Sequence, residues 1–223
     1  MRSRQAKRAL VAVAAVATML ATTSPALAAT SSDTTQFSVT PGSLAFTATV
    51  PDVPNLPALT LNGQSQTLNG TMNNFGVDDA TGSAAGWNVT VSGDSSGGKS
   101  AVFKRYCPNA TCGADSGPAY VAGGATLAAN TITLNSTSAS FTGLNGTTGT
   151  APTNQCNAGC FVDAPSASPV KIVSAASGAG MGTWGSTGWT GTSIAAATPS
   201  TVTALPANEV YRVDLLRTLG SGP

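Results

Sequence analysis

The sequence predicts an all-β fold, an antiparallel β-sandwich with a β-barrel as the runner-up, on three observations. Thr, Ser, Gly, Ala, Asn and Val dominate the 223 residues, whereas Glu and Lys, which favour helix surfaces, are scarce. Several short runs rich in Thr and Val alternate apolar and polar residues, as half-buried strands do. Gly, Asn and Pro separate these runs, which indicates turns between short strands.

A secretory signal peptide is predicted at residues 1–28. It begins with a basic segment formed by Arg2, Arg4, Lys7 and Arg8. An apolar run over residues 9–21 follows, and Ala26-Leu27-Ala28 supplies the small residues of a cleavage site. The apolar run is too short to span a bilayer, so we expect no membrane insertion of the mature chain. The mature chain should begin at Ala29 and form one domain over residues 29–223.

The charge of the mature chain excludes binding by simple electrostatic attraction. Removal of residues 1–28 leaves six basic and nine acidic residues, a formal charge of −3. A nucleic-acid-binding protein carries a basic stripe, and none is visible here. Attachment to an anionic wall polymer by charge alone is excluded for the same reason. We therefore expect partners to be recognised through apolar, aromatic and hydrogen-bonding contacts.

The first half of the mature chain is predicted to contain six strands. Alternation marks them at Gln36–Thr40, Leu44–Val50, Leu59–Leu61, Gln66–Leu68, Met72–Val77 and Trp87–Ser92. Pro41-Gly42 predicts the first turn, three prolines over residues 51–57 interrupt the ladder, and Asn62-Gly63 predicts a tight hairpin. In the last strand, Trp87, Val89 and Val91 share one face.

A loop-rich insertion over residues 93–164, approximately, precedes the closing strands. The best strand candidates inside it are Ala101–Tyr106 and Thr131–Leu134. The closing strands are predicted at Val170–Ala175, Thr183–Thr190, Ser200–Thr203 and Glu209–Leu219. In the last strand, one face carries Tyr211, Val213, Leu215, Arg217 and Leu219, whereas Asp214 should point to the opposite side and be solvated.

Four cysteines lie in the insertion, at Cys107, Cys112, Cys156 and Cys160. An exported chain is expected to form disulfides. Local pairing of Cys107 with Cys112 and of Cys156 with Cys160 is favoured, and the two crossed pairings stay open. A zinc site made of the four thiolates is the sharper alternative, which an oxidising compartment disfavours.

Catalysis is not expected, and neither is a cofactor or a metal. The chain has no histidine, which removes the commonest general base and the usual triads. Glycoside hydrolysis would require two convergent carboxylates. Asp78 and Asp79 precede a turn that ends at Gly82, where capping of backbone N–H groups is the favoured role. A secreted carbohydrate-active enzyme is therefore the last alternative.

Two tryptophans lie in a glycine-rich segment. Trp184 and Trp189 are flanked by Gly, Ser and Thr over residues 180–191. Exposed on a loop, their rings could stack on sugars beside hydroxyl groups. The alternative, given equal weight, is a bulged strand in which one indole is buried.

Two further segments resemble the motifs of the bacterial WxL domain family. In the distal motif of that family, the positions of Tyr, aliphatic, Leu and Pro match Tyr211, Leu215, Leu219 and Pro223. Leu216 and Arg217 stand where the motif has Thr and Trp. The proximal motif is matched by Gly86-Trp87-Asn88-Val89, with Val in place of Leu. Leu61–Gln64 and Asn74–Gly82 add to the resemblance, which spans residues 36–223.

The resemblance implies a function that composition and spacing do not supply. WxL-domain proteins are surface proteins of Gram-positive bacteria that bind the cell wall non-covalently, with peptidoglycan as the associated ligand. Some act with a membrane-tethered surface protein. The resemblance thus implies a secreted, non-enzymatic, wall-associated protein, and nothing after Pro223 suggests a covalent anchor. Trp87, Val89, Tyr211, Leu215, Leu219 and Pro223 would then be motif residues, either contacting the ligand or, as we favour for Trp87, packing in the core.

One alternative from a different class is a structural subunit. Short strands can assemble by sheet-edge pairing, with another copy or with a surface partner protein. This hypothesis places the unpaired edge strand near residues 209–219.

Overall fold

The computed structural model describes residues 34–47, 51, 53–163 and 168–223. The predicted signal peptide, and the ends of the predicted strand Leu44–Val50 and of the insertion, lie outside these ranges. Residues 40–223 form one compact unit. Residues 34–39 belong to a separate unit and have no regular secondary structure. The predicted strand Gln36–Thr40 is therefore wrong: Phe37 is 90% exposed, and alternation alone supplies no partner strand.

Every regular element within the described ranges is a β-strand. In chain order the strands are β1 (Leu44–Phe46), β2 (Gln66–Gly70), β3 (Gly76–Asp79), β4 (Trp87–Gly93), β5 (Lys104–Cys107), β6 (Thr111–Cys112), β7 (Asp115–Ser116), β8 (Ala119–Tyr120), β9 (Ile132–Leu134), β10 (Ser140–Leu144), β11 (Thr153–Asn154), β12 (Cys160–Phe161), β13 (Val170–Ala175), β14 (Gly182–Thr187), β15 (Ile194–Thr198), β16 (Val210–Arg212) and β17 (Leu215–Ser221).

These strands form antiparallel sheets that stay open. Sheet A has the order β1-β3-β14-β10, sheet B the order β11-β13-β4-β17, and sheet C the order β12-β9-β15-β2. A smaller sheet D has the order β16-β5-β8, and β6 pairs with β7. No sheet of the described residues closes on itself, so the all-β, sandwich-like prediction is confirmed and the closed barrel is not the fold.

Sheets A, B and C share one hydrophobic core. Its buried side chains include Val77 and Trp184 from sheet A, Trp87 from sheet B, and Leu134 and Ile194 from sheet C. Sheet D has its own small cluster, formed by Cys107, Cys112 and Val121. The main core thus joins strands that are distant in sequence, whereas the small cluster of sheet D comes from residues 107–121.

Predicted strands with strong alternation are confirmed. The strand predicted at Trp87–Ser92 is β4, and the one at Val170–Ala175 matches the bounds of β13. Two predicted strands are wrong, because residues 59–61 and 200–203 lie in irregular segments. The hairpin at Asn62-Gly63 is wrong for the same reason, although Gly63 has a φ of +75° in a bend.

The predicted strand Glu209–Leu219 is two strands in two sheets. β16 pairs with β5 in sheet D, and β17 pairs with β4 in sheet B. Between them, the N–H of Asp214 donates to the Ser100 carbonyl oxygen (2.8 Å), while its own carbonyl accepts from the Asp94 N–H (2.8 Å). This change of partner at Asp214 ends the first ladder and brings sheet D next to the end of β17.

Candidate functional site

The two motif-like segments lie on neighbouring strands. β4 carries the proximal segment and β17 the distal one, and the two strands pair antiparallel with Val89 opposite Leu219. Next to this pair, the Asn88 side-chain amide donates a hydrogen bond to the Gly222 carbonyl oxygen (2.7 Å). Segments more than 120 residues apart in sequence therefore form one local structure.

The proximal motif residues are core residues. Trp87 and Val89 are both fully buried. The Trp87 indole N–H donates to the Gly180 carbonyl oxygen (2.9 Å), which satisfies the polar atom of the ring. Neither side chain is accessible to a polymer, so the packing interpretation of Trp87 is the one that the structure has.

The distal motif residues are only partly buried. Leu215 and Leu219 pack against the main core. Tyr211 is half-buried on β16, and its hydroxyl donates to the Thr203 carbonyl oxygen (3.0 Å). Pro223 is exposed beyond β17. The distal segment is thus a strand anchored on one side, with exposed residues alternating along the other.

Trp184 and Trp189 do not form an exposed pair of rings. Trp184 lies in β14, is 4% exposed and donates its indole N–H to the Met181 carbonyl oxygen (3.0 Å). Trp189 is half-buried, stacks on Phe75 at 6.4 Å between ring centroids and donates to the Ser186 hydroxyl (3.1 Å). The structure thus has the buried indole of the second interpretation, but without its bulge, because β14 pairs with β3 and β10 in unbroken register.

A cleft of about 350 Å³ opens beside sheet D. We call it the tyrosine cleft, and it is lined by Gly98, Lys99, Tyr106, Pro118, Ala119, Tyr120, Arg212 and Asp214. Strands β5, β8 and β16 supply half of these residues, because Tyr106 pairs with Tyr120 on one side and with Val210 on the other. Lys99 comes from the segment after β4. Three distant parts of the chain therefore meet in the cleft.

Arg212 is fixed against the two tyrosine rings. Tyr106 and Tyr120 meet edge-to-face with centroids 5.0 Å apart. The guanidinium carbon of Arg212 lies 4.5 Å from the Tyr106 centroid and 6.0 Å from that of Tyr120. Its Nε and Nη2 both hydrogen-bond to one oxygen of Asp214, at 3.1 and 2.7 Å. Stacking and ion pairing together hold the cation in one orientation.

Asp214 is the buried anion of the cleft. The expectation that this residue would be solvated is wrong, because its side chain is only 10% exposed. Its second oxygen accepts hydrogen bonds from the Tyr120 hydroxyl (2.6 Å) and the Ser100 N–H (3.1 Å). Burial raises the pKa of Asp214, but these hydrogen bonds and Arg212 outweigh burial and lower it below the usual range. The pKa of Tyr120 is raised, first by burial and then by its bond to Asp214.

A second ion pair borders the same cleft. Lys99 Nζ lies 2.6 Å from Asp94 Oδ2, and the Lys99 side chain is 51% exposed while that of Asp94 is 7% exposed. The other Asp94 oxygen accepts from the N–H (2.9 Å) and the hydroxyl (2.6 Å) of Ser96. The Lys99 ammonium, and then Ser96, hold the pKa of Asp94 at about 2.

Other carboxylates serve the fold. Asp79 accepts from the N–H (3.1 Å) and hydroxyl (2.6 Å) of Thr81, as the capping prediction requires. Asp163 is fully buried and accepts from the N–H groups of Thr131 (2.7 Å) and Ile132 (3.0 Å). Burial raises the pKa of Asp163 despite these two bonds. Glu209 pairs with Arg105, which lowers the pKa of that carboxyl.

All four cysteines are in local disulfides. Cys107 pairs with Cys112, and Cys156 with Cys160, with Cα–Cα distances of 5.7 and 5.2 Å. Among the residues that the structure describes, no three His, Cys, Asp or Glu side chains cluster as metal ligands would. No helix in those same ranges has the length and apolar character of a membrane span.

A second depression of about 360 Å³ lies on sheet A. Gly76 and Gly185 face each other across β3 and β14 and leave its floor without side chains. Thr47, Thr142 and Leu144 border it. Its described lining has hydroxyl groups but no charged side chain, so it has no fixed ion pair to orient a ligand.

The residues of the tyrosine cleft were not predicted as a site from the sequence. One signal was present: four of the six basic residues of the predicted mature chain lie in or beside this region, namely Lys99, Lys104, Arg105 and Arg212. Two of the three tyrosines, Tyr106 and Tyr120, also flank the Cys107–Cys112 loop. Clustering of rare residue types was therefore the available clue.

Comparisons with known protein families, with curated proteins and with solved structures find no match to this chain. Its function has to be inferred from its own residues. Those that bear on it are the paired motif segments and the tyrosine cleft beside them.

Proposed function

We propose that this protein is a secreted, non-enzymatic surface protein that associates non-covalently with the Gram-positive cell wall, with peptidoglycan as its ligand. The observation that supports this most is the pairing of the two WxL-like segments. Val89 stands at the Leu position of the proximal motif and Leu219 at the Leu position of the distal motif. The two residues are opposite each other in β4 and β17. Two segments more than 120 residues apart in sequence thus form one structural unit, as the two motifs of a single domain would.

The packing of the motif residues assigns them a supporting role in this proposal. Trp87 and Val89 build the core, and Leu215 and Leu219 fasten β17 to it. Contact with the polymer then falls to exposed groups nearby. The tyrosine cleft is the best organised of these, because Tyr211, Arg212 and Asp214 belong to the same distal segment.

The ion pairs of the described residues support a binding role rather than a catalytic one. A glycosidase needs a carboxyl group whose pKa is raised and which faces the substrate. In the cleft, both Asp94 and Asp214 have lowered pKa values and are bound to cations. Asp163 has a raised pKa but is fully buried under backbone N–H groups.

Sedimentation with purified peptidoglycan tests the proposal. The secreted chain, with its disulfides intact, is mixed with insoluble Gram-positive peptidoglycan at low and high salt, and cellulose particles serve as the control. We expect the protein to sediment with peptidoglycan at both salt concentrations, because the contacts are not purely ionic, and to stay in solution with cellulose. Protein that circular dichroism shows to be folded, yet that stays in the supernatant with peptidoglycan, would contradict the proposal.

A further inference from the structure

The two cations of the tyrosine cleft have unused hydrogen-bond donors. Arg212 engages Asp214 through Nε and Nη2, and among the described residues no hydrogen bond involves its Nη1. The Lys99 ammonium group has three donors, and within the described ranges it makes one hydrogen bond, to Asp94. The two side chains are 45% and 51% exposed. Both can therefore donate to a group that enters the cleft.

The carboxylates paired with these two cations are less exposed than the cations. The side chains of Asp94 and Asp214 are 7% and 10% exposed. The four charges sum to zero, and the ammonium and guanidinium groups are the more exposed members of the two pairs. The aspartates, with the Tyr106 ring beneath Arg212, hold these two cations in place. Such preorganised donors bind an anion without having to be ordered first.

The size and the apolar wall of the cleft limit what that anion is attached to. A volume of about 350 Å³ holds one or two small residues rather than the width of a polymer. Pro118 and Ala119 give the wall apolar contacts. The planar edge of a guanidinium matches a carboxylate, which accepts two parallel N–H bonds.

We propose that the tyrosine cleft binds the terminal carboxylate of a short, alanine-like peptide through Arg212 and Lys99. Peptidoglycan carries such peptides, so this inference rests on the proposed function and names the part of the wall that the cleft contacts. Arg212 gives two parallel N–H donors from its free edge, and Lys99 neutralises the remaining charge. The methyl group of the peptide lies against Pro118 and Ala119.

Binding of N-acetyl-alanyl-alanine to the full secreted chain tests this inference. Titration is followed by NMR of the 15N-labelled protein, with the C-terminal amide of the same dipeptide as the matched ligand. The D and L forms of the dipeptide, and glycerol phosphate, are compared in parallel. We expect the acid to shift the backbone signals around Lys99 and Arg212, and to bind about tenfold more tightly than the amide, because only the acid makes charge-assisted hydrogen bonds.

Substitutions at the two cations provide the second arm. Lys99→Gln and Arg212→Gln should each weaken binding of the acid about tenfold. Lys171→Gln is the control, because it removes an exposed basic residue on β13 that does not line the cleft. Lys99 is the more exposed cation, so its substitution is expected to leave the protein folded, with NMR changes confined to signals near residue 99.

Three results would overturn the inference. They are equal binding of acid and amide, no binding of either, and undiminished binding by both cleft variants. If glycerol phosphate binds as tightly as the acid, the cleft does not select a carboxylate, and the inference is wrong. If the acid does not bind but the protein still sediments with peptidoglycan, this inference is wrong while the proposed function stands. If the acid binds and the protein does not sediment, the cleft assignment stands and wall attachment is wrong.

Discussion

Two glycines near Trp87, Gly86 and Gly180, lie where a larger residue would not fit. A Cβ on Gly86 would lie 2.3 Å from the Ala175 carbonyl oxygen, and a Cβ on Gly180 would lie 2.6 Å from Trp87 Nε1. Both glycines also have positive φ values, +78° and +74°. Packing and backbone conformation therefore explain why residue 86, which precedes Trp87 in the motif-like segment, is a glycine, and no ligand is needed to explain it.

At this site we predict that Gly180→Ala destabilises the protein much more than Gly178→Ala. The two glycines have similar φ values, +74° and +80°, but a Cβ on Gly178 meets nothing within 4 Å. Gly178→Ala should cost about 1 kcal/mol from backbone strain alone. Gly180→Ala adds overlap with the indole, for a total of about 3 kcal/mol. Urea unfolding of the two variants measures the difference, and equal free energies of unfolding would show that Trp87 is not confined as described.

Burial of Trp87 was predictable from the sequence, but the tyrosine cleft was not. Strict alternation over Trp87, Val89 and Val91 indicates one apolar face, and local pattern suffices for that. The environment of Arg212 depends on Tyr106, Tyr120 and Asp214, which β5, β8 and the segment after β16 bring together. No local sequence pattern specifies contacts between residues so distant in sequence, which is why Asp214 was expected to be solvated.

The pairing of β4 with β17 fixes which backbone groups of β17 face β4. The Gly222 N–H bonds to the Gly86 carbonyl, and the Asp94 N–H to the Asp214 carbonyl. With the register unbroken between these points, every second residue of β17 bonds to β4. Thr218, which is opposite Thr90, is one of them, and its side chain is exposed.

Thr218→Pro should therefore destabilise the protein by about 2–4 kcal/mol, because it removes a ladder donor in the middle of the strand. Thr218→Ala is the matched control and should change the free energy of unfolding by less than about 1 kcal/mol, because the side chain is exposed. Thermal or urea unfolding followed by circular dichroism measures both. A proline variant as stable as the alanine variant would contradict the register.

Strands were predictable where the residue pattern alone determines burial. β13 was predicted to the residue because its Val and Ile alternate and then run together. β15, with the sequence Ile-Ala-Ala-Ala-Thr, was missed because alanine carries little strand preference. β15 is a strand because it pairs with β9 on one side and β2 on the other. Its composition gives no sign of this pairing.

Across the whole molecule, acidic pH should weaken the region around sheet D. The pKa values of Asp94, Glu209 and Asp214 are all lower in the folded protein than their usual values. A carboxylate of this kind binds protons more readily in the unfolded chain, so its stabilisation is complete above its unfolded pKa of about 4 and is lost as the pH falls through the folded value. Asp163, whose pKa is raised, acts in the opposite direction.

We expect the free energy of unfolding to fall as the pH is lowered from about 5 to about 2, with Asp94 contributing down to its pKa of about 2. Lys99→Gln should make the decline shallower, because Lys99 is the main cause of the lowered pKa of Asp94. Lys171→Gln should leave the slope unchanged. Urea unfolding at a series of pH values measures this, and a flat profile for the unsubstituted protein would contradict the prediction.

The position of β4 between β13 and β17 also determines when the chain can fold during its synthesis. β4 ends at residue 93, while its two neighbours begin at residues 170 and 215. At a synthesis rate of about 5–20 residues per second, several seconds pass between the completion of β4 and the synthesis of β13, its first partner. Pairing of such distant segments is also intrinsically slow. For an exported protein of the kind proposed, this late completion of sheet B would keep the chain unfolded until nearly all of it has been synthesised.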